Sequence, residues 1–129
     1  MNPLILKETE DTPEIKMEGS TGKIEIKGRS YPENASEFYT PVKEWLESYK
    51  NAPNDKTEVD FKMTYFNTSS SRSLMEILNI FKDIEKSGKE VKINWYYYTD
   101  DPDMHDAGRG YAELLDFPIE LIALEEEID

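Results

Sequence analysis

Tyr65-Phe66-Asn67-Thr68-Ser69-Ser70-Ser71-Arg72-Ser73-Leu74-Met75-Glu76-Ile77-Leu78 changes its hydrophobic period in the middle. Upstream, Val59, Phe61, Met63 and Tyr65 recur at every second residue, whereas downstream Leu74, Ile77, Leu78, Phe81 and Ile84 recur at helical spacing. A strand therefore ends and a helix begins across Asn67 to Ser71. The first turn of a helix leaves N–H groups unpaired and carries partial positive charge, so hydroxyls and anions are both stabilised there. Four hydroxyl residues in a row, Thr68 to Ser71, occupy this position. They suit two roles that are compatible: Thr68 or a neighbouring Ser caps the helix, and one hydroxyl is a phosphoacceptor, since a phosphate here adds about −1.5 to −2 charges where the helix end favours them.

Outward from this junction, Glu14–Glu18 and Lys23–Lys27 alternate apolar with charged residues around Gly19-Ser20-Thr21-Gly22. This predicts a hairpin with Ile15, Met17, Ile24 and Ile26 inward. Leu4 to Leu6 is a short candidate edge strand. Asn34 with Glu37 three residues later predicts a helix start, and Phe38, Val42, Trp45, Leu46 and Tyr49 share a face. Pro41 inside that run predicts a kink, or a restart with Thr40 as cap. After the second helix, from about Ser69 to Ser87 with Gly88 behind it, come a strand at Val91–Tyr98, an acidic loop at Thr99–Asp103, a shorter helix through Leu115, and a last strand from Phe117 to Leu124. Trp95 and Tyr97 fall on one strand face and Tyr96 and Tyr98 on the other. They are read as two core aromatics and two packed beneath helices, or as interface aromatics where left exposed. The pattern is α/β in one domain over 1–129: a mixed, mostly parallel sheet with an N-terminal antiparallel hairpin and about three helices. Glu125 to Asp129 reads as an acidic, solvated C-terminal tail.

Composition narrows the function. The 129 residues carry a formal net charge of −13, which opposes binding to nucleic acid or to an anionic membrane surface. With no cysteine and one histidine, His105, thiol chemistry and histidine-rich metal sites are excluded. No basic leader followed by an apolar run precedes Lys7, and no stretch approaches a membrane span, so a cytoplasmic location is expected. Gly108-Arg109-Gly110 lacks the third glycine of a dinucleotide fingerprint, and Asp100 to Asp106 matches a calcium loop in composition but not in ligand spacing. No cofactor, metal or catalytic set is implied, and nothing argues for an enzyme.

Three segments together resemble the SiaC-family regulatory phosphoproteins, bacterial proteins similar in fold to the STAS domains of anti-sigma factor antagonists. They are Tyr31-Pro32-Glu33-Asn34, Tyr65 to Arg72, and Ile93-Asn94-Trp95-Tyr96-Tyr97 followed by the acidic loop with Asp103-Met104 and Ala107-Gly108. The resemblance implies a STAS-like fold and a partner switch. A kinase with a histidine-kinase-type ATPase fold phosphorylates the threonine matching Thr68, a PP2C-type phosphatase removes the phosphate, and the unmodified form activates a diguanylate cyclase, linking the chain to cyclic di-GMP signalling. Related switches act on sigma factors, so an anti-sigma factor antagonist-type regulator of transcription is the alternative. A small acidic enzyme or ligand-binding domain using the same sheet edge is the reading from another class. Within the hydroxyl run, Thr68 directly follows the strand end and should lie at the exposed mouth of the turn, while some residues deeper in the helix rotate toward the sheet, which makes Ser70 and Ser71 packing or capping residues. Asn67, Ser69, Ser70 and Arg72 complete the expected partner-binding surface, with Arg72 near a phosphate on Thr68.

Overall fold

A computed structural model describes residues 1–125. Six strands form one sheet in the order β1-β2-β3-β4-β5-β6. In chain order the elements are β1 (Leu4–Leu6), β2 (Glu14–Glu18), β3 (Lys23–Ser30), α1 (Ala35–Lys50), β4 (Lys56–Phe66), α2 (Thr68–Lys86), β5 (Glu90–Tyr98), α3 (Pro102–Leu115) and β6 (Glu120–Leu124). β1, β2 and β3 pair antiparallel, and β3 to β6 pair in parallel. The expected hairpin, edge strand, mixed sheet and three helices are all present. The predicted acidic tail falls mostly outside the described residues, beyond Glu125.

Strand order advances in one direction, and right-handed crossovers are the rule for parallel units. Consecutive right-handed steps in one direction place α1, α2 and α3 on the same face. The core lies between that face and the helices, built from Ile15, Met17, Ile26, Phe61 and Trp95 of the sheet and Tyr39, Leu46, Leu74, Ile77, Leu78 and Phe81 of the helices. The opposite face carries no helix and is polar: Lys62 pairs with Glu25 at 3.0 Å, and the Asn94 amide donates to Glu58 and Asp60. Lys23, paired with Glu58 at 2.8 Å, holds the Glu58 carboxyl below its ordinary range.

Four expectations are corrected. Of the two alternatives at Pro41 the restart is overturned: α1 is continuous from Ala35 to Lys50 through Pro41. Thr40 does not cap a restart; its hydroxyl donates back to the Ser36 carbonyl at 2.7 Å, and Pro41 is exposed. Second, Tyr65 does not continue the inward face of β4. The β3–β4 register shifts between Gly28 and Arg29, so Gly28 opposes Met63 while Arg29 opposes Tyr65. The extra residue, Thr64, reverses the alternation: Tyr65 is 50% exposed, and Phe66 turns inward against Trp95 and Tyr111. Third, Tyr96 and Tyr98 lie beneath no helix, because the helix layer exists on the other face only; both stay half-buried. Fourth, β6 begins at Glu120, not Phe117. The Phe117 N–H is used by the Ala112 carbonyl at the end of α3, and Pro118 has no N–H to give a ladder.

Candidate functional site at the start of α2

The C-terminal ends of β4 and β5 share one edge of the parallel sheet, so the Asn67–Ser71 turn and the loop after Tyr98 lie there together. The predicted hydroxyl cap is corrected at this turn: the cap is Asn67. Its side-chain oxygen accepts from the Ser70 N–H at 2.8 Å, and its own N–H donates to the Ser30 carbonyl at 3.0 Å, tying the turn to the end of β3. The capping function is thereby filled by an amide. Thr68 becomes the first residue of the helix, exposed, and its hydroxyl makes no hydrogen bond among the described residues.

The hydroxyls that follow divide by helical rotation. Ser69 is exposed. Ser70 is fully buried and accepts from the Ser30 hydroxyl at 2.8 Å. Since Ser30 donates there, Tyr39 donates to Ser30 at 2.6 Å, giving a buried relay from α1 through β3 to α2. Burial pushes the Tyr39 phenol up to about 12, against the pull of its bond to Ser30. Ser70 was expected both as a packing or capping residue and on the partner surface; its place inside this relay agrees with packing and removes it from direct contact. Ser71 pairs with the Tyr111 hydroxyl at 2.8 Å, while Tyr111 donates to the Ser71 carbonyl at 2.9 Å. These bonds clamp α3 to the first turn of α2.

Thr68, Ser69 and Arg72 line a cavity of about 600 Å³ together with Glu33, Asn34 and Ser36 at the start of α1, and with Lys43 and Glu76 behind. Lys43 pairs with Glu76 at 3.1 Å. Arg72, one helical turn beyond Thr68, is exposed and forms no ion pair among the described residues. The first turn of α2 has no acidic residue, unlike α1 with Glu37 and α3 with Asp103. An anion-favouring helix end is thus left without an anion. Among the described residues no group of three His, Cys, Asp or Glu side chains is placed to hold a metal. His105 bonds its neighbour Asp106 and packs on Tyr97. Arg109 pairs with Glu113 along the exposed side of α3.

A model of the SiaC family of regulatory phosphoproteins matches residues 6–124. The chain belongs to that family. Its fold is that of solved SiaC structures from Pseudomonas aeruginosa: apo-SiaC superposes with a TM-score of 0.86 at 29% identity, covering 95% of this chain and 100% of that one. SiaC in a crystal structure with the diguanylate cyclase SiaD, whose activator it is, gives 0.86 at 29% identity over 94% and 99%. An uncharacterized protein of Pseudomonas aeruginosa strain UCBPP-PA14 is 29% identical over 126 residues, 98% of this chain and all of the relative. Two segments that carried the SiaC resemblance, Tyr31 to Asn34 and Tyr65 to Arg72, are far apart in sequence, and Glu33 and Asn34 join Thr68 around one cavity. The linear pattern did not reveal Ser30, Tyr39 or Lys43. Ser30 and Tyr39 flank the first segment, and only their shared burial with Ser70 identifies them.

Proposed function

We propose that this SiaC-family chain is a non-catalytic, cytoplasmic partner switch set by reversible phosphorylation of Thr68. The observation that carries the reading is the Thr68 hydroxyl itself: exposed, released from capping by Asn67, and seated where the helix end favours an anion and the first turn has no acidic residue of its own. A kinase with a histidine-kinase-type ATPase fold adds the phosphate, and a PP2C-type phosphatase removes it. The unmodified form binds and activates a diguanylate cyclase, as the related SiaC does with SiaD.

The switch works by electrostatics. A phosphate on Thr68 accepts from the open N–H groups of the first turn and from Arg72, so α2 need not unfold. The same charge stands in a surface that must be desolvated on binding, and an imperfectly paired buried charge costs several kcal/mol, which changes affinity by orders of magnitude. Asn67, Ser69 and Arg72 are the residues around it that reach the surface. The test combines the kinase reaction and calorimetry. Thr68→Val should lose all labelling while Ser69→Ala keeps it, and Thr68→Ala should bind the cyclase at least about tenfold more tightly than Thr68→Glu. Full labelling of Thr68→Val, or equal cyclase affinity of the Ala and Glu variants, would sink the proposal.

A further inference from the structure

The helix-free face of the sheet holds a second cavity, of about 360 Å³, at the C-terminal ends of β3 to β6. Its walls include Lys27, Arg29, Lys62, Tyr96, Tyr98 and Leu124. Three cations thus gather around two half-buried phenol rings in a chain whose net charge is −13. Lys27 and Arg29 form no ion pair among the described residues. Lys62 is shared between Glu25, at 3.0 Å, and the Tyr96 ring, its ammonium 5.2 Å from the centroid. The volume lies at the small end of ligand clefts, about 300 to 1,000 Å³, which suits a small molecule better than a protein segment.

The wall of this cavity includes Gly28 of β3, next to the register shift that leaves Thr64 of β4 unpaired. Gly28 has φ +115°, and a Cβ there would collide with the Glu8 carboxylate, so the loop after β1 lays that carboxylate directly on the glycine backbone. Glu8 is the one carboxylate in the wall, and it pairs with none of the three cations. An internal anion therefore already rests in the cationic cavity without using its cations.

We propose that this cavity is a binding site for a small aromatic phosphate of the nucleoside monophosphate class, with Glu8 as the group that the ligand displaces. The aromatic body packs on Tyr96 and Tyr98, a contact that any base can make through its π-face. The phosphate takes Arg29, whose planar fork matches two phosphate oxygens, together with Lys27 or Lys62. Thr68 starts a helix on the other face of the sheet, and the two cavities share no lining residue.

An amide chemical-shift titration of the full chain with guanosine monophosphate tests the site, with guanosine and inorganic phosphate as separate arms. Saturable shifts at Gly28, Tyr96 and Tyr98 are expected. Guanosine or phosphate alone should bind at least about tenfold more weakly, since each supplies half of the recognition. Arg29→Gln should weaken guanosine monophosphate by about tenfold, as loss of a charge-assisted pair does, and Glu8→Gln should tighten it. Arg29 and Glu8 are exposed, and a well-dispersed spectrum of each variant verifies that it folds. Absence of saturation to about 5 mM, equal binding of phosphate alone, or unchanged affinity in Arg29→Gln would overturn the site. Unchanged nucleotide shifts in Arg29→Gln combined with weaker cyclase binding would overturn it too, and would make this face a protein interface.

Discussion

Tyr39 shows how a single buried group ties stability to pH. Its phenol is pushed from the ordinary 10.0 up to about 12, chiefly by burial. Below pH 10 the phenol is neutral in folded and unfolded chains alike, and the full stability is present. Between 10 and 12 the unfolded chain releases the proton and the folded chain keeps it, so stability falls as pH rises. A shift of this size removes about 2–3 kcal/mol across that window. Chemical denaturation on either side of pH 10 should therefore show a steep loss in the wild type and a shallower one in Tyr39→Phe, which starts about 1 kcal/mol lower for want of the Ser30 bond. Parallel pH profiles of the two proteins would refute this. Gly108 acts by what it lacks. A Cβ there would stand 2.6 Å from Trp95 Cδ1 and 2.8 Å from Leu121 Cδ2, so its absence lets α3 approach β5 closely enough for the Trp95 indole to donate to the Met104 carbonyl at 2.9 Å. Gly108→Ala gains up to about 1 kcal/mol of helix propensity and loses about 1–3 kcal/mol or more to overpacking against a buried ring. The clash wins, and the melting temperature should drop.

At the scale of the element, α2 depends on an amide that a hydroxyl run conceals. Asn67→Ala should cost about 1 kcal/mol, the ordinary worth of a cap, while the backbone N–H bond to the Ser30 carbonyl is kept. Thr68→Val, which removes a hydroxyl without a partner, should leave stability within about 0.5 kcal/mol. Urea midpoints of the two variants decide between Asn67 and Thr68 as the cap; a larger loss for Thr68→Val would contradict the assignment. α1 poses the reverse case, because a proline persists inside it at a cost. Pro41 supplies no N–H in mid-helix, a penalty of up to about 3 kcal/mol, yet Tyr39, Val42, Trp45 and Leu46 bury enough surface to carry the helix through it. Since Pro41 is exposed, Pro41→Ala should stabilise the protein by about 1–3 kcal/mol. A lower melting temperature for this variant would show that the proline shapes α1.

For the whole molecule, charge and layering dominate. A net charge of −13 on 129 residues makes the compact state repel itself. The exposed ion pairs each contribute little, so screening should favour folding, and the melting temperature should rise as salt increases from low ionic strength to about 0.2 M. A fall over that range would mean that pairs such as Lys23–Glu58 outweigh the net repulsion. The layering divides labour between the two sheet faces. Helices cover one and place Thr68 at its rim, while the other keeps Lys62, Tyr96 and Tyr98 accessible. No described helix is long and apolar enough to cross a membrane.

Local pattern in the chain by itself determined the element types, the mixed sheet, the strand-to-helix junction and the place of Thr68 at its mouth, because period and turn chemistry act over a few neighbouring residues. The absence of cysteine and the single histidine bounded the chemistry in the same way. Only the tertiary structure decided that Asn67 and not a hydroxyl caps α2, that Ser70 belongs to a buried relay with Ser30 and Tyr39, and that Tyr65 faces out while Phe66 faces in. Each of these turns on a partner from a distant segment. The Asn67 that caps α2 is held in place by its own N–H on the distant Ser30 carbonyl, a hydroxyl is buried only if another waits for it, and strand parity reverses when the neighbouring strand shifts register at Gly28. Those are energies between segments far apart in the chain, and no local window of sequence contains both members of the pair.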